Sequence, residues 1–481
     1  MPNSVMSLFP HVLNNLETLK VPLQTSLSCS ETLRRSISTG IDCWQNNRNL
    51  FYNLTRHLSQ LSPLWSTRPF QTFLNLGQSG TQPLVEGLKK TAIAGFERFR
   101  QERSGELEFL KLFTDTSTGQ DWTIDHDQAR VLLDLPSLKV IDISTETRHH
   151  IQNATVIFAP RAGHHSNIAE RVALFLRDKG LTRMVVVEQK CAAEIPLYVN
   201  GQRHREDFEG QVEQYAAVLK YLKKKTGRPP HLVAICQPGP LLMATLILNP
   251  GLAKTFGSAG SPMHTEAESG ILTDFARTVG ESYIDRLLTL FGLQIEDNCP
   301  GAGRTAYDGR LQVLGFYLMG FDLHYRNLKN LLIDLKTGNL QGAERQKAFY
   351  QWYNSVQHFP AGFIRDTFKK IFIHNDLVRG TLQIGNRRIG MADFPGTVPI
   401  WALGGTQDSI APPLQATGHM ELITSVPPER RLTLLCNGGH MGLFRSRKIL
   451  ENYYTKIAAF LLAHSDRRRK GSRRTTAQRP E

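Results

Sequence analysis

The sequence predicts an α/β fold in which a mostly parallel sheet is flanked by helices. From about residue 154 to 248, short apolar runs alternate with longer amphipathic stretches. Continuous apolar strands separated by helix-length segments are typical of a parallel sheet covered on both faces. The predicted strands are 154–160, 182–188 and 231–236, and the predicted helices are 166–180, 207–227 and 241–248. Two later strands, 397–405 and 430–436, precede a closing helix at 446–464.

The segments around this core divide the chain into five parts. Residues 1–115 are predicted to form a helical N-terminal region, because apolar residues at 5–19 and 84–113 recur at helical spacing. The core is expected in two pieces, 116–264 and 396–464. Between them, 265–395 is mostly helical in pattern and rich in aromatic residues, which predicts a cap that shields a reaction from water. Residues 465–481 are basic without apolar periodicity, so we expect a disordered tail.

Composition excludes several classes of protein. The 481 residues are 41% hydrophobic and 21% charged, with no apolar run long enough to cross a membrane and no secretory signal pattern at the amino terminus. Six scattered cysteines suggest neither a disulfide framework nor a zinc site, so a reduced, cytoplasmic compartment is expected. The net charge of +14 is partly concentrated in the tail, and nothing resembles a nucleic-acid-binding pattern. Attachment of the tail to a granule and a merely solvated tail both remain open.

Cys236 stands at the end of the predicted strand 231–236, where the chain must turn into a helix. The α/β-hydrolase architecture presents its nucleophile on such a turn, between small residues. Here the sequence is Ala234-Ile235-Cys236-Gln237-Pro238, in place of the usual Gly-x-Ser-x-Gly. Alanine is small, and proline in the first turn of a helix loses only an N–H that would be unpaired. Taken alone, a cysteine that fills the core is the more common interpretation.

Two downstream residues favour catalysis. Asp408 follows strand 397–405, and His440 follows strand 430–436 in a loop where Gly438 and Gly439 leave room for an imidazole. Nucleophile, acid and histidine therefore occur in the order that this architecture uses, each at the carboxyl end of a strand. A cysteine nucleophile needs a base, and the base needs a carboxylate to orient it. We therefore predict a Cys236–Asp408–His440 triad.

The oxyanion hole is predicted at the backbone N–H of Gln237 and in the loop after strand 154–160. Ala162 and Gly163 are the main candidates for the second donor, although Arg161 also remains open. His164 and His165 are rival bases, but they precede the nucleophile in the chain and are interpreted as loop residues or as residues that support the site without contacting the substrate.

Four motifs together resemble intracellular polyhydroxyalkanoate depolymerases. They are "VAICQP" at 233–238, "GHHSN" at 163–167, "GTQDSI" at 405–410 and "GGHMGLFRSRK" at 438–448. The resemblance covers roughly 120–464 and implies an α/β-hydrolase that cleaves intracellular poly-3-hydroxybutyrate with a Cys-Asp-His triad. It also implies the polymer, or its granule surface, as a partner. The chain departs from the family at Ser409, where a second acid is usual, and at Gly239, where a valine is usual.

The expected chemistry is cleavage of 3-hydroxyacyl esters through an acyl-thioester. Water or a thiol such as coenzyme A would accept the acyl group, and no metal or organic cofactor is required. A hydroxyacyl thioesterase and a synthase-like acyltransferase are alternatives, although the Gly-x-Cys-x-Gly box of the synthases is missing. A further alternative is a non-catalytic hydrolase scaffold that coats granules.

Overall fold

The chain forms two compact units in the computed structural model. The structure describes residues 20–28, 31–32, 34–35, 39, 81–114, 129–145, 151–162 and 167–467. One unit comprises Met1–Thr118 with Gly320–Asn354, and the other comprises Gly119–Met319 with Ser355–Glu481. Among the helices that are described, none combines the length and the apolar character needed to span a bilayer.

The elements follow one another in the order that alternating strands and helices predict. The first half contains α1 (Thr81–Thr114), β1 (Arg130–Asp134), β2 (Leu138–Asp142), β3 (Thr155–Phe158), α2 (Asn167–Asp178), β4 (Met184–Gln189), β5 (Tyr198–Val199), β6 (Gln202–Arg203), α3 (Phe208–Thr226), β7 (His231–Ile235), α4 (Pro238–Leu248) and β8 (Thr255–Ala259). The middle contains α5 (Ile271–Val279), α6 (Glu281–Phe291), β9 (Leu293–Gln294), β10 (Thr305–Tyr307), α7 (Gly309–Met319), α8 (Phe321–Thr337), α9 (Leu340–Tyr353), β11 (Phe359–Pro360) and α10 (Ala361–Asp366).

The rest of the chain returns to the sheet. After a π-helical turn at Thr367–Ile373 come α11 (Asp376–Arg379), β12 (Leu382–Ile384), β13 (Arg387–Ile389), a 3-10 turn (Met391–Asp393), β14 (Ile400–Gly405), α12 (Pro413–Thr417), α13 (His419–Leu422), a second 3-10 turn (Pro428–Arg430) and β15 (Arg431–Cys436). The chain closes with α14 (Gly442–Arg445), α15 (Arg447–Ile449), a π-helical turn (Leu450–Tyr454) and α16 (Thr455–Ala463).

The larger unit is built on an eight-stranded sheet in the order β1-β2-β4-β3-β7-β8-β14-β15. Strand β2 pairs antiparallel with both β1 and β4, whereas the remaining pairs are parallel. One antiparallel strand near the edge of an otherwise parallel sheet, with the β3–β4 exchange, is the α/β-hydrolase arrangement. The predicted fold class is therefore confirmed.

The central strands of the sheet are buried because helices cover both faces. All residues of β3, β7 and β8 are buried, and helices α3 and α4 pack on one face. The rings of Phe158 on β3 and Tyr215 on α3 meet edge to face, with centroids 4.7 Å apart. Continuous burial of central strands is what parallel sheets require.

Helix α3 shows why the predicted boundaries hold. Its N-cap Asp207 accepts a hydrogen bond from the Gly210 N–H at 2.8 Å, which satisfies a donor that has no acceptor within the helix. Its end is set by Gly227, which adopts the left-handed conformation at φ +71. The predicted helix, 207–227, thus differs from the observed one by its two capping residues.

The segment 265–395, predicted to be a mostly helical cap, also contains short strands. Strands β9, β10 and β11 form a small antiparallel sheet, and β12 and β13 form a hairpin. Helices α8 and α9 lie in the smaller unit together with α1. Within that unit, Lys336 forms an ion pair with Glu106 at 2.8 Å, and Gln101 donates a hydrogen bond to the Leu335 carbonyl.

Two predicted segments at the ends of the chain cannot be compared with the structure. The helix expected at 5–19 lies outside the described residues. In the basic tail, only residues up to Arg467 are described.

Candidate active site

Cys236 lies on a tight turn between β7 and α4. Its φ of +61 is in the left-handed region, which a non-glycine residue rarely adopts. The turn is held because the Cys236 N–H donates to the Ala259 carbonyl at 2.9 Å, and the Cys236 carbonyl accepts from the Gly239 N–H at 3.3 Å. Such strain persists only where the surrounding structure enforces it, and it is common at functional sites.

Gly239 supplies the close packing that the turn needs. A Cβ at this position would lie 2.7 Å from Met263 Sδ and from the Ser261 side chain. Pro238 begins α4, so its missing N–H costs the helix nothing, as the sequence predicts. The small residue that this architecture needs after the nucleophile therefore stands three positions after Cys236, one position later than the usual motif has it.

Asp408 and His440 meet at the carboxyl ends of β14 and β15. His440 Nδ1 lies 2.7 Å from Asp408 Oδ2, and the Asp408 side chain is fully buried. The other carboxylate oxygen of Asp408 accepts hydrogen bonds from the N–H groups of Ile410 and Ala411, at 2.9 and 3.0 Å. With its oxygens held from three sides, the carboxylate is fixed as a hydrogen-bond acceptor for the imidazole.

The charges around His440 stabilise its protonated form. Burial of the imidazole opposes protonation, but the negative charges and hydrogen bonds of Asp408 and Cys236 outweigh it and raise the pKa of His440 well above its usual value. Because Nδ1 is bound to Asp408, Nε2 is the nitrogen left for the Cys236 sulfur. The structure thus brings together all three residues of the predicted triad.

The predicted oxyanion loop is described only in part. Ala162 is described and has a φ of +22, whereas Gly163, His164 and His165 lie outside the described residues. The Arg161 N–H donates to the Gln237 side-chain Oε1 at 3.1 Å, so it is not free to bind an oxyanion. Of the two described residues in this loop, Ala162 therefore remains the candidate for the second donor. Gln237 is the N-cap of α4, and the first N–H groups of a helix have no acceptor within it.

Gly260 is a site residue that sequence analysis missed. It has a φ of +54, and a Cβ there would lie 3.3 Å from His440 Cε1 and 2.9 Å from Leu443. The room for the imidazole thus comes in part from Gly260, at the end of β8. The role predicted for Gly438 is wrong, because a Cβ at that position would instead collide with Ile449 Cδ1 at 2.5 Å. A glycine after an unrecognised strand gives no signal in the sequence.

The described residues offer no site for a metal ion. Among them, no group of three or more His, Cys, Asp or Glu side chains is placed to coordinate one. The side chains brought together around Cys236 are suited instead to nucleophilic attack and proton transfer.

Comparison with known proteins adds a family to this geometry. Residues 260–465 match the family model described as the PHB de-polymerase C-terminus. The resemblance inferred from the sequence is confirmed over that region. It contains Asp408 and His440, whereas Cys236 precedes it. Over residues 260–465 the chain is thus similar to PHB depolymerases, and no curated protein matches its sequence.

Several solved structures share parts of the fold at low sequence identity. A monoglyceride lipase from Saccharomyces cerevisiae is 11% identical with a TM-score of 0.44, covering 72% of this chain and 100% of the lipase. A monoacylglycerol lipase from Paleococcus ferrophilus is 13% identical with a TM-score of 0.36, covering 65% and 97%. A putative lipase from Acinetobacter baumannii is 12% identical with a TM-score of 0.38, covering 72% and 99%. At these values the fold assignment depends on the sheet order, and nothing about activity follows.

Proposed function

We propose that this chain is a carboxylic-ester hydrolase that cleaves 3-hydroxyacyl esters of a polyhydroxyalkanoate with Cys236 as its nucleophile. The observation that carries the proposal is the strained turn at Cys236 facing the Asp408–His440 pair. The match of residues 260–465 to the PHB de-polymerase family supports the choice of substrate. The proposal includes the polymer, or the surface of its granule, as the binding partner.

The first half of the proposed reaction transfers the acyl group to sulfur. The Cys236 proton moves to His440, and the thiolate attacks the ester carbonyl carbon. The resulting oxyanion accepts hydrogen bonds from the Gln237 N–H and from an N–H of the 162–163 loop. The C–O bond then breaks, His440 gives its proton to the departing alkoxide, and a thioester remains on Cys236.

The second half releases the acyl group. His440 takes a proton from water, or from a thiol such as coenzyme A, and the acceptor attacks the thioester carbonyl. The carbon–sulfur bond breaks and Cys236 regains its proton from His440. Asp408 stays ionised throughout and orients the imidazole. Every proton is carried by these side chains, so the proposed chemistry needs no metal or organic cofactor.

The proposal is tested with amorphous poly-3-hydroxybutyrate granules, with and without coenzyme A. The wild type should release 3-hydroxybutyrate or its coenzyme A ester, and Cys236→Ala should release neither, because no other group supplies the attacking atom. Cys299→Ala is the matched control, since this cysteine lies in the loop between β9 and β10. The control should retain wild-type activity.

Two results would contradict the proposal. Residual activity of Cys236→Ala at the wild-type level would show that another group attacks the ester. No release by a folded wild type, with granules or with a soluble hydroxyacyl ester, would remove the ester-hydrolase assignment altogether.

A further inference from the structure

The Gln237 side chain connects two loops that leave neighbouring strands at their carboxyl ends. Its Oε1 accepts a hydrogen bond from the Arg161 N–H at 3.1 Å, across 76 positions of the chain. The two loops follow β7 and β3, which are neighbours in the sheet. One residue thus follows the nucleophile and also binds the loop on which the second oxyanion donor is expected.

The buried side chain of Arg161 fixes the start of this loop through hydrogen bonds to residues at the end of β4. Its side chain is only 1% exposed, and its guanidinium donates to the Lys190 carbonyl and, at 2.9 Å, to Gln189 Oε1. Gln189 in turn donates to the Tyr215 hydroxyl at 2.7 Å. The hydrogen bonds therefore run from Gln237 across the carboxyl ends of β3 and β4 to helix α3.

Removing the Arg161 guanidinium from water costs free energy, so its contacts within the protein fix its position. Loss of hydration lowers the pKa of Arg161, and the charge of Glu206 only partly offsets this effect. The guanidinium also lies 5.4 Å from the centre of the Phe363 ring. Its Nε has no hydrogen-bond partner, but both terminal nitrogens do. A buried charge stays where it keeps such bonds, which fixes Arg161 at the start of the loop.

We propose that Gln237 is a positioning residue that aligns both halves of the oxyanion hole, with Arg161 as its anchor. The inference depends on the proposed function. The backbone N–H of Gln237 supplies one donor, while its side chain holds Arg161 so that the next residue, Ala162, turns at a φ of +22. Oxyanion stabilisation depends on donors placed before the charge develops, and a displacement of about 1 Å costs about 100-fold in rate.

The test separates a reaction that needs the oxyanion hole from one that does not. Acylation of Cys236 by p-nitrophenyl butyrate forms an oxyanion, whereas alkylation by iodoacetamide displaces iodide from a carbon without forming one. Gln237→Met keeps the length of the side chain and the backbone N–H but removes the acceptor. Its acylation rate should fall about 10- to 100-fold with KM within about 2-fold, because the loop is misplaced. Its alkylation rate should stay within about 2-fold of the wild type.

Two further variants complete the experiment. Gln202→Met, in the exposed hairpin β5–β6, is the matched control and should behave as the wild type in both reactions. Arg161→Lys keeps the charge but loses the forked donors, so it should slow acylation selectively as well.

Three other results would each contradict the inference, and each points to a different cause. Wild-type acylation by Gln237→Met would overturn the positioning role while leaving the hydrolase proposal intact. An equal loss in acylation and alkylation would show that the residue only maintains the turn at Cys236. A wild type that is alkylated normally but never acylated would overturn the proposed function, and this inference with it.

Discussion

Cys436 and Cys236 have different surroundings, and these make the two thiols chemically different. Cys436, at the end of β15, is buried, and burial together with the nearby Asp408 charge raises its pKa to about 11. Cys236 lies instead on the turn after β7, beside His440, whose pKa is raised by Asp408 and Cys236. At neutral pH the Cys436 thiol therefore stays protonated and unreactive, whereas the proposed nucleophile, Cys236, has a base beside it.

Replacement of Asp408 tests the charge that supports this arrangement. Asp408→Asn keeps the size of the side chain but removes the negative charge that raises the pKa of His440. Ester hydrolysis should fall about 10³- to 10⁴-fold, because the imidazole loses both its orientation and the stabilisation of its protonated form. The measurement is the initial rate on a soluble ester, together with alkylation of Cys236 at pH 6.5, which should also slow.

The control for this variant is Asp297→Asn, an exposed carboxylate between β9 and β10. It should match the wild type in both assays. An Asp408→Asn variant that hydrolyses the ester within about 3-fold of the wild type would contradict the assigned role, since loss of such a carboxylate costs about 10⁴-fold in a serine protease.

The candidate triad could be predicted because each member follows a strand that the sequence reveals. The link between Gln237 and Arg161 could not, since a hydrogen bond across 76 positions leaves no periodic trace. Gly260 was missed for a related reason, because the strand before it was itself not recognised.

Among the elements, β8 is the central strand that the apolar pattern of the sequence did not predict. Thr255–Ala259 reads TFGSA, without the continuous apolar character of its neighbours, although it lies in the middle of the sheet. Its glycine explains the pattern, because a Cβ on Gly257 would lie 1.8 Å from Cε2 of Trp401 on β14. The bulk that a buried strand normally carries is thus supplied by the adjacent strand.

Gly257→Ala should therefore destabilise the protein strongly. The added methyl group overlaps a fully buried indole that has little room to move, so we expect a loss of about 3 kcal/mol or more in the free energy of unfolding. Gly315→Ala, in helix α7, is the opposite case because nothing lies within 4 Å of the added Cβ. It should stabilise by about 0.5–1 kcal/mol.

Urea unfolding of the two glycine variants beside the wild type provides the measurement. Equal effects of the two alanines would mean that the Trp401 ring does not fill the space above Gly257.

In the molecule as a whole, buried histidines make contributions to folding stability that change with pH in opposite directions. Burial lowers the pKa of His231 to about 3, and Lys254 acts in the same direction. Burial likewise lowers the pKa of His419 to about 3. Both histidines take up a proton near pH 6.5 only after unfolding, so the stability they confer is complete above pH 6.5 and is lost as the pH falls. His440 has a raised pKa, and its contribution is lost instead as the pH rises through that value.

The wild type should accordingly lose stability in mild acid. Between about pH 6 and 4, each of the two buried histidines should contribute about 1.4 kcal/mol per pH unit to the slope of the free energy of unfolding. His231→Gln, which cannot titrate, should reduce that slope by one such contribution. Gln202→Met, in the exposed hairpin β5–β6, changes no titratable group; it is the control and should leave the slope unchanged. An unchanged slope in His231→Gln would contradict the assignment.

The order of strands and helices in the larger unit could be predicted from apolar runs alone, because a parallel sheet buried on both faces imposes them. The grouping of α8 and α9 with α1 could not, since it depends on contacts such as that between Lys336 and Glu106, 230 positions apart. Helical periodicity shows that these segments are helices and says nothing about which partner they bury against.

The last described residues of the chain bind the amino ends of the sheet strands, whereas the candidate site lies at their carboxyl ends. Asp466 pairs with Lys254 at 2.7 Å and accepts a hydrogen bond from Asn153, and Ser465 bonds His231 at 2.9 Å. Lys254 and Asn153 precede β8 and β3, and His231 is the first residue of β7, so all three lie at the strands' amino ends, whereas Cys236 follows β7 at its carboxyl end. A surface linkage attached at Asp466 itself would therefore begin from the side of the sheet that lies opposite the thiol. Molecules immobilised in that way would present Cys236 outward to a particulate substrate.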